Sequence, residues 1–243
     1  MERRYLRWWS PNLGRDMELL AFGHSGTQVL VFPTRCGRFF DFEDFGMLEA
    51  VRPRIEAGEL QLWCVDSIDT ESFYAQWMNP ADRIRRHQKY EDYLLGEVLP
   101  LMHVDEPGIR SMTCGCSLGA YHAVNLALRH PRLFVKAVGL SGRYDLTERL
   151  PEFRDLLDGF VDDLVYFHMP TMFLGNAREP EHLEGLRHLE VVLACGESDP
   201  FLISNRKLAE QLEAKGMRHQ LYVWQGRAHG RRHWRQMSDL YLR

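Results

Sequence analysis

Short apolar runs recur along the chain, set apart by stretches in which apolar residues return at helical spacing. The runs QVLVF at 28–32, LQLWCV at 60–65, FVKAVGL at 134–140 and LEVVLAC at 189–195 are rich in branched and aromatic residues. They are too short for helices and predict buried strands. Two further strands are predicted over 5–9 and 17–22, joined through a Pro11-Asn12-Leu13-Gly14 turn, with others over 109–116 and 219–224. Helical spacing marks 41–57, where Pro53 is predicted to interrupt or kink the helix, and 80–103, with Asn79 as cap and Pro80 in the first turn. It also marks 120–129, 203–215 and 229–242. Between 142 and 188 the pattern loosens around Pro151, Pro170 and Pro180, which predicts a lid or substrate-side insertion of short helices and loops. Strands alternating with helices predict an α/β fold over a single domain, residues 1–243. Its sheet is expected to be mostly parallel, with helices on both faces and an antiparallel N-terminal edge.

Composition narrows the partners more than the fold. Hydrophobic residues make up 45% of the 243 positions and charged residues 26%, ordinary values for a globular chain. A net charge of −4 gives no reason to expect nucleic acid or an anionic membrane, and no apolar run approaches a membrane span. The run Arg83, Arg85, Arg86, His87, Lys89 is answered by Glu91, Asp92 and Glu97, so it predicts a solvated, salt-bridged helix face rather than a basic patch. The N-terminus is basic but lacks the apolar core of a signal peptide. Five irregularly spaced cysteines, three of them inside apolar runs, point to a reducing compartment, the cytoplasm.

The chemistry centres on residues 109–130. A short strand leads into Gly115-Cys116-Ser117-Leu118-Gly119, a G-x-S-x-G, and a helix follows at once. A serine forced onto such a turn is lifted above the sheet, and glycines two residues to either side let neighbouring backbone pass close by. A serine hydroxyl needs a histidine to take its proton, and the histidine needs a carboxylate to hold its tautomer. The strand 189–195 runs into Gly196-Glu197-Ser198-Asp199-Pro200, and the strand 219–224 into Gln225-Gly226-Arg227-Ala228-His229. Catalytic groups collect at the carboxyl ends of parallel strands, so Asp199 is favoured over Glu197 and His229 over His233. A His229/His233 metal pair finds no third ligand at suitable spacing, so no metal is expected. The oxyanion donors are expected to be the N–H of Leu118 and one from Thr34 or Arg35, in the loop 33–38 after the third strand. Arg38 of that loop, with Arg143, Tyr144 and Asp145 after the strand 134–140, is expected to line the substrate pocket. Cys36 and Cys116 are read as structural thiols.

The stretches LGRDMELLAFGHSG, VLVFPTRCGRFFDFEDFGM, CVDSIDTESFY, PADRIRRHQKYEDYLLGEVLP, GCSLGAYHAVNLALRHP, LSGRYDL and CGESDP together resemble the esterase D-like and "putative esterase" branch of the α/β-hydrolases, over nearly the whole chain. The resemblance implies an α/β-hydrolase fold, no cofactor, and carboxylester hydrolysis through Ser117, Asp199 and His229. Relatives carry His-Asp-Trp-Pro at the base, whereas here His229 is followed by Gly230-Arg231-Arg232-His233-Trp234. The expected partner is a small-molecule acyl ester or thioester. An acyltransferase with the same triad and a non-catalytic assembly module are the alternatives, the latter with Trp8-Trp9 at an oligomer interface.

Overall fold

The computed structural model describes residues 1–104 and 107–243. Among them eight strands form one sheet: β1 (Arg3–Ser10), β2 (Arg15–Phe22), β3 (Thr27–Phe32), β4 (Leu60–Val65), β5 (Ser111–Cys116), β6 (Phe134–Leu140), β7 (Glu190–Gly196) and β8 (Arg218–Trp224). The spatial order is β1-β2-β4-β3-β5-β6-β7-β8. β1–β2 and β2–β4 pair antiparallel, and every pair from β4–β3 to β7–β8 is parallel. All six residues of β4 and of β5 are buried, the signature of strands covered on both faces, whereas β8 alternates as an edge does.

The helices are α1 (Asp41–Asp44), α2 (Met47–Glu56), α3 (Pro80–Tyr93), α4 (Leu99–Met102), α5 (Leu118–Arg129), α6 (Asp163–Phe167), α7 (Pro170–Phe173), α8 (Pro180–Arg187), α9 (Leu202–Ala214) and α10 (Arg231–Tyr241). Side chains alternate between two cores. Leu30 and Trp63 face Tyr90, Tyr93, Ala123 and Leu208 on the α3, α5 and α9 side. Val29, Val31, Leu62 and Cys64 face Val51, Ile55, Trp234 and Met237 on the α2 and α10 side. Each full burial of such a side chain contributes about 1.5–3 kcal/mol. Trp8 packs against the first core with its indole N–H on Glu97, while Trp9 is exposed.

Two helix expectations need correction. The break in 41–57 falls at Gly46 (φ 74°), whose N–H bonds Glu43 O at the end of α1, and Pro53 lies inside α2. The helix over 80–103 passes through a π-helical turn at Leu94–Val98 before α4. That turn surrounds Gly96, the residue whose carbonyl a regular helix would drive into the ring of Pro100. Asn79 caps α3 by accepting from Asp82 N–H at 2.9 Å.

The charged face of α3 is only partly solvated. Arg85 and Lys89 are exposed, but Arg83, His87 and Glu91 are buried. Their partners come from distant segments. Arg83 donates to Leu156 O (2.9 Å) and pairs with Asp158, and Glu91 accepts from Arg129 and His130. The segment 142–188 is therefore anchored, with Leu146, Leu156, Leu157, Val165 and Met169 in a third apolar cluster beside Phe73, Leu118 and Tyr121.

Burial pushes the imidazole of His168 down to about 3 and that of His87 well below its ordinary value. Burial alone would raise the Glu91 carboxyl, but the His130 hydrogen bond and the Arg129 charge hold it to about 2. All three bind protons more weakly folded than unfolded. Their contribution is intact above the unfolded imidazole value of about 6.5, and it fades as pH falls through that value and then through the carboxylate range. The unfolding midpoint should be level from pH 8 to 7 and drop steadily below about pH 6. A midpoint flat to pH 5 in a thermal-melt series would contradict this.

Candidate active site

Ser117 sits between β5 and α5 with φ 57° and ψ −117°, a conformation L residues rarely adopt. The surroundings enforce it. Its N–H donates to Leu140 O at 2.8 Å, and both flanking glycines stand against backbone. A Cβ on Gly115 would lie 2.1 Å from Gly119 O, and one on Gly119 would lie 2.3 Å from Pro33 O. The G-x-S-x-G spacing is thus a steric requirement of the turn.

His229 follows β8 and Asp199 follows β7, on the same rim as Ser117. His229 Nε2 lies 3.2 Å from Ser117 Oγ, and its Nδ1 lies 2.9 Å from Asp199 Oδ2. Asp199 is 5% exposed, and its Oδ1 accepts the Phe201 N–H at 2.9 Å, so both oxygens are engaged. Glu197 instead accepts the N–H of Gly226 at 2.9 Å, bracing the two loops. The imidazole of His229 lies between Phe201 and Trp234, at 5.8 and 5.4 Å between ring centroids. Trp234 in turn donates to Ser141 Oγ at 3.1 Å, and Ser141 Oγ donates to Ala228 O at 3.3 Å. The departure at 230–233 is accommodated by Gly230, which starts α10 and whose carbonyl accepts from His233 and Trp234. His233 packs edge-on to Trp224.

Leu118 opens α5, where the first N–H groups have no intrahelical acceptor. It lines a cavity of about 380 Å³ together with Ser117, His229, Thr34 and Arg35. Arg143 also lines this cavity, but Arg38, Tyr144 and Asp145 do not. The Arg38 guanidinium is held by Asp66 (2.8 Å) and Glu18 on the far side of its loop. The Tyr144 ring is fully buried, with its hydroxyl against Gly139, and Asp145 accepts from Thr147. Partial desolvation and the Asp69 charge push the exposed thiol of Cys36 up to about 11, and burial pushes Cys116 well above its ordinary value. Cys116 Sγ contacts Met47 Sδ at 3.6 Å.

Two residues that the sequence reading passed over tie the site together. Asp69, buried beyond the end of β4, accepts the Cys36 N–H at 2.9 Å through Oδ2 and meets His122 Nε2 at 3.0 Å through Oδ1. Cys36 has φ 52°, so this carboxylate holds the turn that carries Thr34 and Arg35. His122 belongs to α5, so Asp69 links the loop to the helix that starts just after Ser117. The available signal was a histidine within an apolar helix five residues after Ser117, with an aspartate on the neighbouring strand's rim. An asparagine replaces one of these oxygens with an NH2, so it cannot accept at both positions. Asp69→Asn should lower kcat about ten- to a hundredfold, the cost of a small misplacement, with KM nearly unchanged. A wild-type kcat in that variant would remove Asp69 from a positioning role.

A family model described as "Putative esterase" matches residues 42–237. No curated protein matches the sequence. Among solved structures, a ferulic acid esterase superposes with TM-score 0.78 at 15% identity, covering 99% of this chain and 96% of that one. FphF, a fluorophosphonate-binding serine hydrolase of Staphylococcus aureus, superposes with TM-score 0.75 at 18% identity, covering 98% and 96%. The S-formylglutathione hydrolase FrmB of Staphylococcus aureus gives TM-score 0.71 at 19% identity, covering 98% and 94%.

Proposed function

The chain belongs to the "Putative esterase" family and has the α/β-hydrolase fold, and from that premise we propose that it is a serine ester hydrolase and which groups carry its reaction. Ser117 is the nucleophile toward the carbonyl of an acyl ester or thioester. His229 Nε2 takes the hydroxyl proton as the Oγ–C bond forms, and Asp199 stabilises the imidazolium. The oxyanion is received by the Leu118 N–H and by an N–H of Thr34 or Arg35. His229 returns the proton to the leaving oxygen or sulfur, which departs and leaves acyl-Ser117. Water then attacks, giving its proton to His229, and the carboxylic acid leaves as Ser117 is restored.

The observation that supports this reading is the unbroken Asp199–His229–Ser117 chain of hydrogen bonds at 2.9 and 3.2 Å, drawn from three strand ends. Asp199→Asn tests it. Asparagine keeps an acceptor for Phe201 N–H but no longer favours the working tautomer, so turnover should fall about 10⁴-fold with the fold intact. Glu197→Gln should cost little. The reverse ranking in esterase assays would transfer the role to Glu197.

The segment 142–188 is read as the substrate-side wall, since Glu152 and Phe153 line the cavity. All five cysteines are free, which supports a cytoplasmic site of action. Among the described residues no helix is long and apolar enough to cross a membrane.

A further inference from the structure

We infer that the active-site cavity contains a subsite for one ionised carboxylate, so that the preferred substrate is an ester or thioester bearing such a group a few atoms from the scissile carbonyl. The inference rests on the proposed esterase reaction at Ser117. The chain as a whole carries −4, yet the cavity lining holds three guanidinium groups, Arg35, Arg143 and Arg227, against one carboxylate, Glu152. Glu152 and Arg227 neutralise each other at 2.7 Å in an exposed pair. Two cations remain.

Arg143 carries the argument. It is 3% exposed, and a buried charge is ordinarily paired. Its Nε donates to Asp145 O and its Nη2 to the carbonyls of Leu146, Glu148 and Arg154. Among the described residues no carboxylate pairs with it, and its Nη1 has no acceptor. Four carbonyls fix the side chain, the carboxylates of Glu148, Asp145 and Asp155 act on its charge from beyond ion-pair distance, and one pair of N–H donors stays open. Burial lowers the pKa of this guanidinium, outweighing Tyr74, Glu148, Asp145 and Asp155, which all raise it. Arg35, stacked 5.9 Å from the Tyr74 ring, also has no carboxylate partner among the described residues. Arg35 and Arg143 line the same cavity as Tyr74, and burial raises the Tyr74 hydroxyl while the charges of Arg143 and Arg35 oppose that rise. A directly paired negative charge is what the buried guanidinium lacks among the described residues. A carboxylate supplies it, with a second oxygen to offer Arg35.

Matched ester pairs test the inference. The para-nitrophenyl monoester of adipate against para-nitrophenyl hexanoate places the charge on the acyl side. The acetyl esters para-acetoxybenzoate and para-acetoxybenzamide place it on the leaving group. In wild-type protein at about 0.01 M salt, one charged ester should exceed its neutral partner in kcat/KM by about tenfold or more. That ratio should collapse at about 1 M salt, where the Debye length shrinks from about 30 Å to about 3 Å. It should also fall in Arg35→Ala and in Arg143→Gln. If Arg143→Gln fails to fold, the wild-type salt series and Arg35→Ala still decide. Benzoate and benzamide titrated calorimetrically into Ser117→Ala protein give a readout without turnover, and benzoate should bind more tightly. Ratios at or below one for both pairs, with benzoate binding no better than benzamide, would overturn the subsite. Absence of all hydrolysis with benzoate still preferred would support the subsite and remove the esterase assignment instead.

Discussion

Ser117→Ala should reduce hydrolysis of short activated esters by a factor on the order of 10³ to 10⁶ while leaving the protein folded. The substitution removes one hydroxyl from a residue whose strained backbone is set by its neighbours, since Leu140 accepts its N–H and Gly115 and Gly119 close in on either side. Alanine meets the same positive φ as serine does, so the thermal midpoint should change little. Residual turnover above buffer would come from the Leu118 N–H and its partner on the 34–36 turn, which still bind a developing oxyanion. A variant that keeps near-wild-type turnover would remove Ser117 from the chemistry.

His229→Ala should be as damaging, and His233→Ala should not. Of the two, it is His229 whose ring nitrogen lies 3.2 Å from Ser117 Oγ, and its other nitrogen is held by Asp199. Loss of either nucleophile or base in such a unit costs about as much as loss of the whole, about 10⁶-fold in turnover. An imidazole accepts a proton only when neutral, so wild-type kcat/KM should rise with pH along an ascending limb. His233→Ala should keep that limb, since His233 only packs against Trp224. In His229→Ala the limb should vanish with the activity. Profiles of kcat/KM against pH for both variants, beside thermal melts, check the ranking. An inactive His233→Ala with a normal His229→Ala would reassign the base.

The strands were legible because interior strands covered on both faces must be apolar throughout. QVLVF, LQLWCV and LEVVLAC became β3, β4 and β7 with ends shifted by no more than a residue. That Ser117, Asp199 and His229 come together was legible for a related reason: each lies in the loop just past a parallel strand, and those strand ends share one rim. What the sequence did not disclose depends on contacts between distant segments. Arg83 and Glu91 looked solvated because their partners, Leu156 and Asp158 for one and Arg129 and His130 for the other, lie far along the chain. Asp69 and His122 are 53 residues apart and meet only once β4 and α5 are in place. Arg38 lay one turn from the pocket in sequence, but Asp66 and Glu18 draw it outward. Tyr144 shows the limit of proximity along the chain, since Arg143 beside it lines the cavity while the tyrosine ring turns into the core.

The central claim is that Ser117 is an activated nucleophile, and a fluorophosphonate reagent tests it most directly. The hydroxyl oxygen attacks phosphorus, fluoride leaves, and His229 takes the proton, leaving a stable phosphonyl ester. Intact-mass measurement should show one adduct per chain, and peptide mapping should place it on Ser117. Ser117→Ala protein should remain unlabelled, and His229→Ala should label far more slowly. Wild-type protein that stays unmodified while folded, or an adduct carried by another residue, would contradict the account.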